Sequence, residues 1–334
     1  MSEPLVSVVM SVYNAGDLLM QAMRSVLDQE GVDFEIVVVD DGSTDGSGAE
    51  LDRYASADAR VRVLHQENAG LTKALIRGCR EARGELIARQ DVDDVSLPGR
   101  LERQARLLGA DSSLAMVSSW VATIGPNGEL LYETRRTADP DEATRDLLEH
   151  GKGAVHGSVM FRKSLYERVG GYREEFYFAQ DSDLWLRLGE VGRLAFVSEV
   201  LYMLRISEKS LSSRYARAQA RLGELSHECQ RARREGRSEG PALEEARSLR
   251  PGSIPAEQVD PHGSEGLWFL SRCLLSRGDR RGLKYARRYL HFRPLEPKAW
   301  ASAAWGALTA WRRDTDEGFR GSDRLEAGAA TEQR

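Results

Sequence analysis

The sequence predicts an α/β fold, a mostly parallel sheet flanked by helices, and three observations predict it. Short apolar segments alternate with amphipathic helical ones from Leu5 to Asp94, the order of a parallel sheet with right-handed crossovers. The apolar segments are nearly continuous, as expected of strands covered on both faces. Each runs into a polar loop, and in such sheets ligands gather at the carboxyl ends of the strands.

Leu5 to Val12 forms the first strand, with Val6, Val8, Val9, Met10 and Val12. A helix follows from about Asp17, where Leu18, Ala22 and Val26 lie four apart with Leu19, Met23 and Leu27 beside them. Ile36 to Val39 and Val61 to Leu64 are the second and third strands. Leu71, Ala74, Leu75 and Gly78 mark the next helix face, and Glu85 to Ala88 is a fourth short strand. The loops at the four strand ends are Tyr13-Asn14, Asp40-Asp41-Gly42-Ser43, Asn68-Ala69-Gly70 and Asp91-Val92-Asp93-Asp94.

From about residue 115 the pattern loosens. Pro126-Asn127-Gly128 reads as a turn, Ser158 to Phe161 as a strand, Lys163 to Val169 as a short helix, Asp181 to Glu190 as a better one and Leu201 to Arg205 as a last strand. Arg217 to Arg250 is rich in Arg, Glu and Ala and reads as a solvated helical surface. Pro251 to Ser264 reads as a linker. Leu267 to Leu308 is helical again, a degenerate helical hairpin broken at Pro294 and Pro297. The expected organisation is therefore an α/β domain over 1–210, an α-helical C-terminal region over 211–314 and a disordered tail over 315–334.

Composition narrows the partners. With 334 residues, 41% hydrophobic and 30% charged, the chain can bury a sizeable core. Its net charge of -5 argues against nucleic acid. Cys79, Cys229 and Cys273 form no close pair, so reduced thiols are expected, not a zinc site or a disulfide framework. No signal peptide and no membrane-spanning run is read, which points to a cytoplasmic protein, with peripheral contact at the inner face of the membrane left open.

Three carboxylates within Asp91-Val92-Asp93-Asp94 repel one another unless a cation or hydrogen bonds offset them. Magnesium or manganese commonly takes one or two carboxylates plus phosphate oxygens. The competing use is to cap the helix beginning near Pro98. The position after a buried strand, beside other polar strand ends, favours the metal. Asp41 is suited to a hydrogen bond with a base or ribose, and Tyr13 to stacking on the base. Capping by Ser43 or Thr44, and plain packing of Tyr13, weigh about equally against them.

These residues carry a resemblance. Val6-Ser7-Val8-Val9-Met10-Ser11-Val12-Tyr13-Asn14, Glu35-Ile36-Val37-Val38-Val39-Asp40-Asp41-Gly42-Ser43-Thr44-Asp45, Asn68-Ala69-Gly70-Leu71 and Ala88-Arg89-Gln90-Asp91-Val92-Asp93-Asp94, the last followed by Leu97-Pro98 and Arg100-Leu101, resemble the family 2 glycosyltransferases of the two-abutted-βαβ (GT-A) type. The likeness covers about residues 4 to 210. It implies a metal-dependent inverting enzyme that moves a sugar from a nucleotide-diphosphate sugar, with a UDP-sugar the expected donor, to a carbohydrate or lipid-linked acceptor in glycan or polysaccharide biosynthesis.

The resemblance also implies roles. Tyr13 stacks on the base and Asp41 bonds it. Asp91 lies near ribose and metal, and Asp93 is the direct ligand of Mg2+ or Mn2+. Asp181, in Gln180-Asp181-Ser182-Asp183-Leu184-Trp185, sits where the family places its base, although the usual Glu-Asp pair is Gln180-Asp181 here. Such a transferase needs one base for the acceptor hydroxyl, because the metal relieves the leaving diphosphate of any need for protonation. Capping of its helix is the alternative use of Asp181. His156 and Trp185 are candidate acceptor-site residues, each with a competing structural role. Many relatives carry a late Arg-x-His. Here the stretch is Leu204-Arg205-Ile206-Ser207, which leaves water, or Arg205 against phosphate, in the histidine's place.

Two rival classes remain. One is a non-catalytic nucleotide-sugar-binding or assembly protein on the same fold. The other is a nucleotidyltransferase, disfavoured because Tyr13-Asn14-Ala15-Gly16-Asp17 lacks the basic residues of that loop. The C-terminal helices are candidates for homo-oligomer formation or for contact with an anionic membrane.

Overall fold

The computed structural model describes residues 3–208, 210–298, 300, 301 and 304. The expected tail over 315–334 and the end of the helical hairpin lie outside them. The strands are β1 (Val6–Val12), β2 (Phe34–Asp40), β3 (Val61–His65), β4 (Leu86–Asp91), β5 (Val95–Ser96), β6 (Leu114–Ile124), β7 (Leu130–Thr134), β8 (Met160–Arg162) and β9 (Arg193–Arg205). The helices are α1 (Leu18–Leu27), α2 (Ser47–Ala57), α3 (Leu71–Glu81), α4 (Arg100–Ala110), α5 (Pro140–His150), α6 (Lys163–Arg168), α7 (Gln180–Gly189), α8 (Leu211–Arg214), α9 (Ala216–Arg234), α10 (Gly240–Ser248), α11 (Ser264–Ser276) and α12 (Gly282–Phe292).

Two compact units emerge, one of residues 1–124, 133–205 and 215–259, the other of 125–132, 206–214 and 260–334. In the first, the sheet runs β3-β2-β1-β4-β8-β6-β9-β5. β3, β2, β1 and β4 are mutually parallel, β8 is antiparallel to β4 and β6, and β9 returns parallel to β6. The chain winds from β1 through β2 to β3 and then crosses to β4 on the other side of β1. The crevice at the carboxyl ends of β1 and β4 is thus a topological switch point, where such sheets bind ligands. The register sets Val12 beside Asp40 and Ser11 beside Asp91, so the two acidic strand ends flank the end of β1.

The continuous apolar runs are explained by cover on both faces. Val6, Val8, Met10 and Val12 pack with Leu19, Met23 and Val26 of α1. Val9 and Ile87 face the other way, onto Leu75 of α3 and Leu184 and Trp185 of α7.

Several expectations change. The loosened stretch after residue 115 contains the 11-residue β6, buried at nearly every position. The last strand begins at Arg193, not Leu201. Met160–Arg162 replaces the strand read over Ser158 to Phe161, and His156–Ser158 is a short 3-10 turn. Arg217 to Arg250 is not merely a solvated surface: Leu222, Leu225 and Cys229 of α9 join Phe176, Phe178 and Ala246 in a core of their own. Several of its arginines are ion-paired, Arg221 with Glu224, Glu228 and Glu245, and Arg233 with Glu190 and Glu239.

In the second unit, α11 and α12 pack Leu267, Leu270, Leu274, Tyr285 and Tyr289 around Leu131. α11 and α12 are separated near Gly278, whose φ of +73° is one that glycine adopts freely. The break expected at Pro294 and Pro297 follows α12, where residues 293–296 are non-helical and the helix resumes at Pro297.

Candidate active site

The crevice is lined by loops whose shapes are fixed by side chains. Asp41 is 2% exposed and accepts from Gln66 Nε2 at 2.7 Å, Ala69 N at 2.9 Å and Gly70 N at 2.8 Å. It therefore clamps the 66–70 loop, and those three donors already occupy its carboxylate. Gly42 lies under the same loop with φ +79°, and a Cβ there would stand 2.8 Å from Asn68 N. Asp40 accepts from Ser43 N at 3.0 Å and meets His65 Nδ1 at 2.9 Å. Burial opposes its ionisation, yet Ser43 and His65 hold it below the usual carboxylate range. Neither Ser43 nor Thr44 caps α2. Ser43 Oγ accepts from Asn14 N instead, and Asp45 takes Ser47 N. The Tyr13 ring stands 51% exposed at the crevice mouth.

At the end of β4 the three aspartates divide. Asp94 is 1% exposed and accepts from Tyr202 Oη at 2.8 Å and Arg205 N at 2.7 Å. Burial, then the charges of Asp93 and Asp91, push its carboxyl well above the usual range. Asp91 is paired with the fully buried Arg89. Burial works against its ionisation, but the guanidinium outweighs that and holds it below the usual range. A Cβ on Gly157 would overlap Tyr202 Oη and stand 2.9 Å from Asp91 Oδ2, so a side chain there would displace the Tyr202 hydroxyl. Asp93 is half-buried, and among the described residues its carboxylate is met by its own backbone amide but by no hydrogen bond or ion pair from another residue. Burial and the Asp91 carboxylate push it up to about 6. None of the three caps α4, whose N-cap is Gly99.

Two arginines that sequence reasoning assigned no role underlie this loop. Arg89 reaches Val9 O at 3.2 Å and His156 Nε2 at 3.3 Å as well as Asp91. Arg100 donates to Gln90 Oε1 at 3.0 Å, Ser96 Oγ at 2.7 Å and Arg89 O at 2.6 Å, and lies over the Tyr202 ring. Burial draws Arg100 down to about 10, so it stays charged near neutrality. Both stand in the segments quoted above, but a buried arginine is indistinguishable from a surface one in a string of letters. Arg205 is also committed, its Nε to Asp93 O at 2.9 Å and its Nη2 to Gln21 Oε1 at 2.8 Å.

Asp181 sits in the first turn of α7 and does not cap it. The N-cap is Ala179, and Asp181 Oδ1 accepts from Ser182 N at 2.9 Å. Burial pushes Asp181 up to about 6, and the Asp91 charge adds to the rise, so the two carboxylates share one electrostatic environment. His156 meets Tyr172 Oη at 2.8 Å through Nε2. Burial and Arg89 pull it down to about 3, which keeps it neutral. Burial speaks against Trp185 as an acceptor-site residue. The ring is 2% exposed, its Nε1 donates to Ala154 O at 3.2 Å, and Phe161 and His156 pack against it. Trp185 is the floor of the site, with no face left for a sugar.

Among the described residues no group of three or more His, Cys, Asp or Glu is placed to hold a metal ion by itself. Asp91 and Asp93 fit the alternative, a hard cation bound by one or two carboxylates and completed by phosphate and water oxygens. Among the described residues no neighbouring group hydrogen-bonds the Asp93 carboxylate, and burial beside Asp91 outweighs its own amide and the charges of Arg205 and Arg89, so it resists ionising without a cation.

Sequence and fold comparisons agree on what this crevice belongs to. The model of glycosyl transferase family 2 matches residues 7–170. EpsE of Bacillus subtilis (strain 168), provisionally named a glycosyltransferase, is 32% identical over 212 residues, 61% of this chain and 74% of EpsE. Other relatives are longer: the chain spans 31% of an uncharacterized glycosyltransferase of Rickettsia bellii, at 27% identity over 63% of this chain. Among solved structures, the mannosyltransferase PcManGT of Pyrobaculum calidifontis, in complex with GDP-Man and Mn2+, superposes with a TM-score of 0.55 at 19% identity, over 93% of this chain and 88% of that one. TarS 1-349 of S. aureus in complex with UDP gives 0.54 at 16%, over 95% and 91%. The fold is thus the GT-A fold of sugar-transferring enzymes, followed by a helical C-terminal region. The chain belongs to glycosyl transferase family 2 and is a glycosyltransferase.

Proposed function

We propose that the chain transfers a sugar from a nucleotide-diphosphate sugar to a hydroxyl of a carbohydrate or lipid-linked acceptor, with inversion at the anomeric carbon. The observation that carries the reading is Asp181. It is a carboxylate pushed up to about 6, in the same crevice as Asp91 and Asp93. A base with a pKa near the working pH takes a proton most effectively while remaining mostly ionised. GDP-Man with Mn2+ in one structural neighbour and UDP in another support a nucleotide-sugar donor. A UDP-sugar remains our expectation.

In this reading the exposed Tyr13 ring stacks on the base. Asp41 acts by holding the 66–70 loop against it. Asp93 and Asp91 would hold Mg2+ or Mn2+, which supplies positive charge against the diphosphate. Asp181 takes the acceptor hydroxyl proton as the oxygen bonds the anomeric carbon and the bond to the diphosphate breaks. One displacement on the face opposite the leaving group inverts the centre. Arg89 keeps Asp91 ionised and oriented, and the neutral His156 presents its ring beside them without adding charge.

The test is turnover of a panel of UDP-, GDP- and dTDP-sugars with wild type and Asp181→Asn. We expect the variant to lose about 10²–10⁴-fold in kcat while still binding nucleoside diphosphate. We expect wild-type kcat to fall as pH drops below about 6, where Asp181 takes up a proton. Full turnover by Asp181→Asn would refute the assignment.

A further inference from the structure

Ion pairs take up part of the positive charge on α9 and α10: beyond the pairs of Arg221 and Arg233, Arg247 pairs with Glu175 and Glu244, and Arg237, between the two helices, pairs with Glu235. The charge on the second unit is less balanced. Residues 260–298 carry nine Lys and Arg against four Asp and Glu, a net charge of +5 within a chain whose total is -5.

The excess is concentrated by helical geometry. Lys284, Arg287, Arg288 and His291 are spaced three, four and seven apart and form one exposed stripe, while Tyr285, Ala286, Tyr289 and Leu290 face the core. α12 contains no acidic residue. Among the described residues only Arg288 in the stripe has an acidic partner, Glu208 at 2.9 Å, and it is still 46% exposed. Lys284 lies over the Tyr285 ring at 4.9 Å, and Arg287 has no acidic partner among the described residues. The four basic residues line an open groove of about 440 Å³ together with Phe292, which is 37% exposed. Just past the helix, Leu295 is 92% exposed.

We propose that this face of α12 is a docking surface for an anionic lipid bilayer. Charge alone would suit any polyanion. An aromatic ring set among the cations, with an exposed leucine following, is the composition of a helix that lies in the headgroup layer: cations meet lipid phosphates and apolar groups enter the acyl boundary. The inference stands apart from the transfer chemistry, because its test requires no turnover.

The experiment is co-sedimentation of the full chain with vesicles of phosphatidylcholine, with and without phosphatidylglycerol, across a salt series. We expect binding only to the phosphatidylglycerol vesicles, weakened by salt, and reduced about tenfold or more in Lys284→Glu/Arg287→Glu. Both positions are exposed, so circular dichroism should be unchanged. Phe292→Ser should weaken binding and leave its salt dependence in place. Arg237→Glu, at an arginine ion-paired with Glu235 and away from α12 in the chain, should bind like wild type. Absence of vesicle binding by the wild type, equal binding to both vesicle types, undiminished binding by the double variant, or complete displacement by a short RNA would overturn the proposal.

Discussion

Asp40 and Asp41 close β2, and Asp91, Asp93 and Asp94 close β4, with only β1 between the two strands. Both ends lie at the mouth of the same crevice, and both are runs of carboxylates. At β2 the protein satisfies them from within, with Ser43 and His65 on Asp40 and three donors on Asp41. At β4 it satisfies Asp94 fully, gives Asp91 the Arg89 guanidinium, and leaves Asp93 to repel its neighbour. The difference teaches how to read an acidic strand end. A carboxylate supplied with donors is scaffolding. One held close to another carboxylate and left unsupplied stores a demand for a cation, which a diphosphate and its metal can meet.

The comparison can be broken first at Arg89. Arg89→Met leaves Asp91 buried beside Asp93 without a counter-charge, and removing one partner of such a pair costs about 3–5 kcal/mol. Urea unfolding should show that loss; a loss within error would mean that Asp91 does not depend on Arg89. Next comes Asp41. Asp41→Asn offers one acceptor oxygen where the carboxylate offers two, so the amides of Ala69 and Gly70 compete for it, at a cost of about 1–3 kcal/mol. Weaker donor binding should accompany the loss, because the loop moves.

The smallest effect has the opposite sign. Asp93 is raised to about 6 from an ordinary 3.8, so the native chain holds this proton more tightly than the unfolded one. That contribution to stability is present at low pH and disappears as pH rises from about 4 through 6. Metal-free Asp93→Asn should therefore be more stable than wild type near neutrality, by on the order of 1 kcal/mol. Thermal unfolding in chelator at pH 5 and 7 reads it, and a destabilised variant at both pH values would contradict the assignment.

How much of this was legible beforehand follows from burial. β1 to β4 read clearly because continuous apolar runs have one explanation in an alternating chain. β6 did not, because Ser118, Ser119 and Thr123 interrupt it. The first two satisfy their hydroxyls inside the fold, Ser118 against Ser158 Oγ and Ser119 on Trp120 O. α5 went unread, although Asp139 caps it through Asp141 N at 2.8 Å and Glu142 N at 3.0 Å. Asp91, Asp93 and Asp181 could be singled out from their places at element ends. Arg89, Arg100 and Tyr202 could not, since what makes them matter is burial and contacts across the sheet. Trp185 shows the converse: an aromatic beside a site residue invited a ligand role, and packing against His156 and Phe161 claims it.

The most direct measurement is calorimetric titration of UDP and GDP into wild type and Asp93→Asn, each with Mn2+ and with chelator. The account predicts that the cation tightens nucleotide binding to wild type by at least about tenfold, a coupling of about 1.4 kcal/mol, and that Asp93→Asn abolishes that gain. Nucleotide affinity indifferent to the cation in wild type, or an undiminished gain in Asp93→Asn, would contradict it.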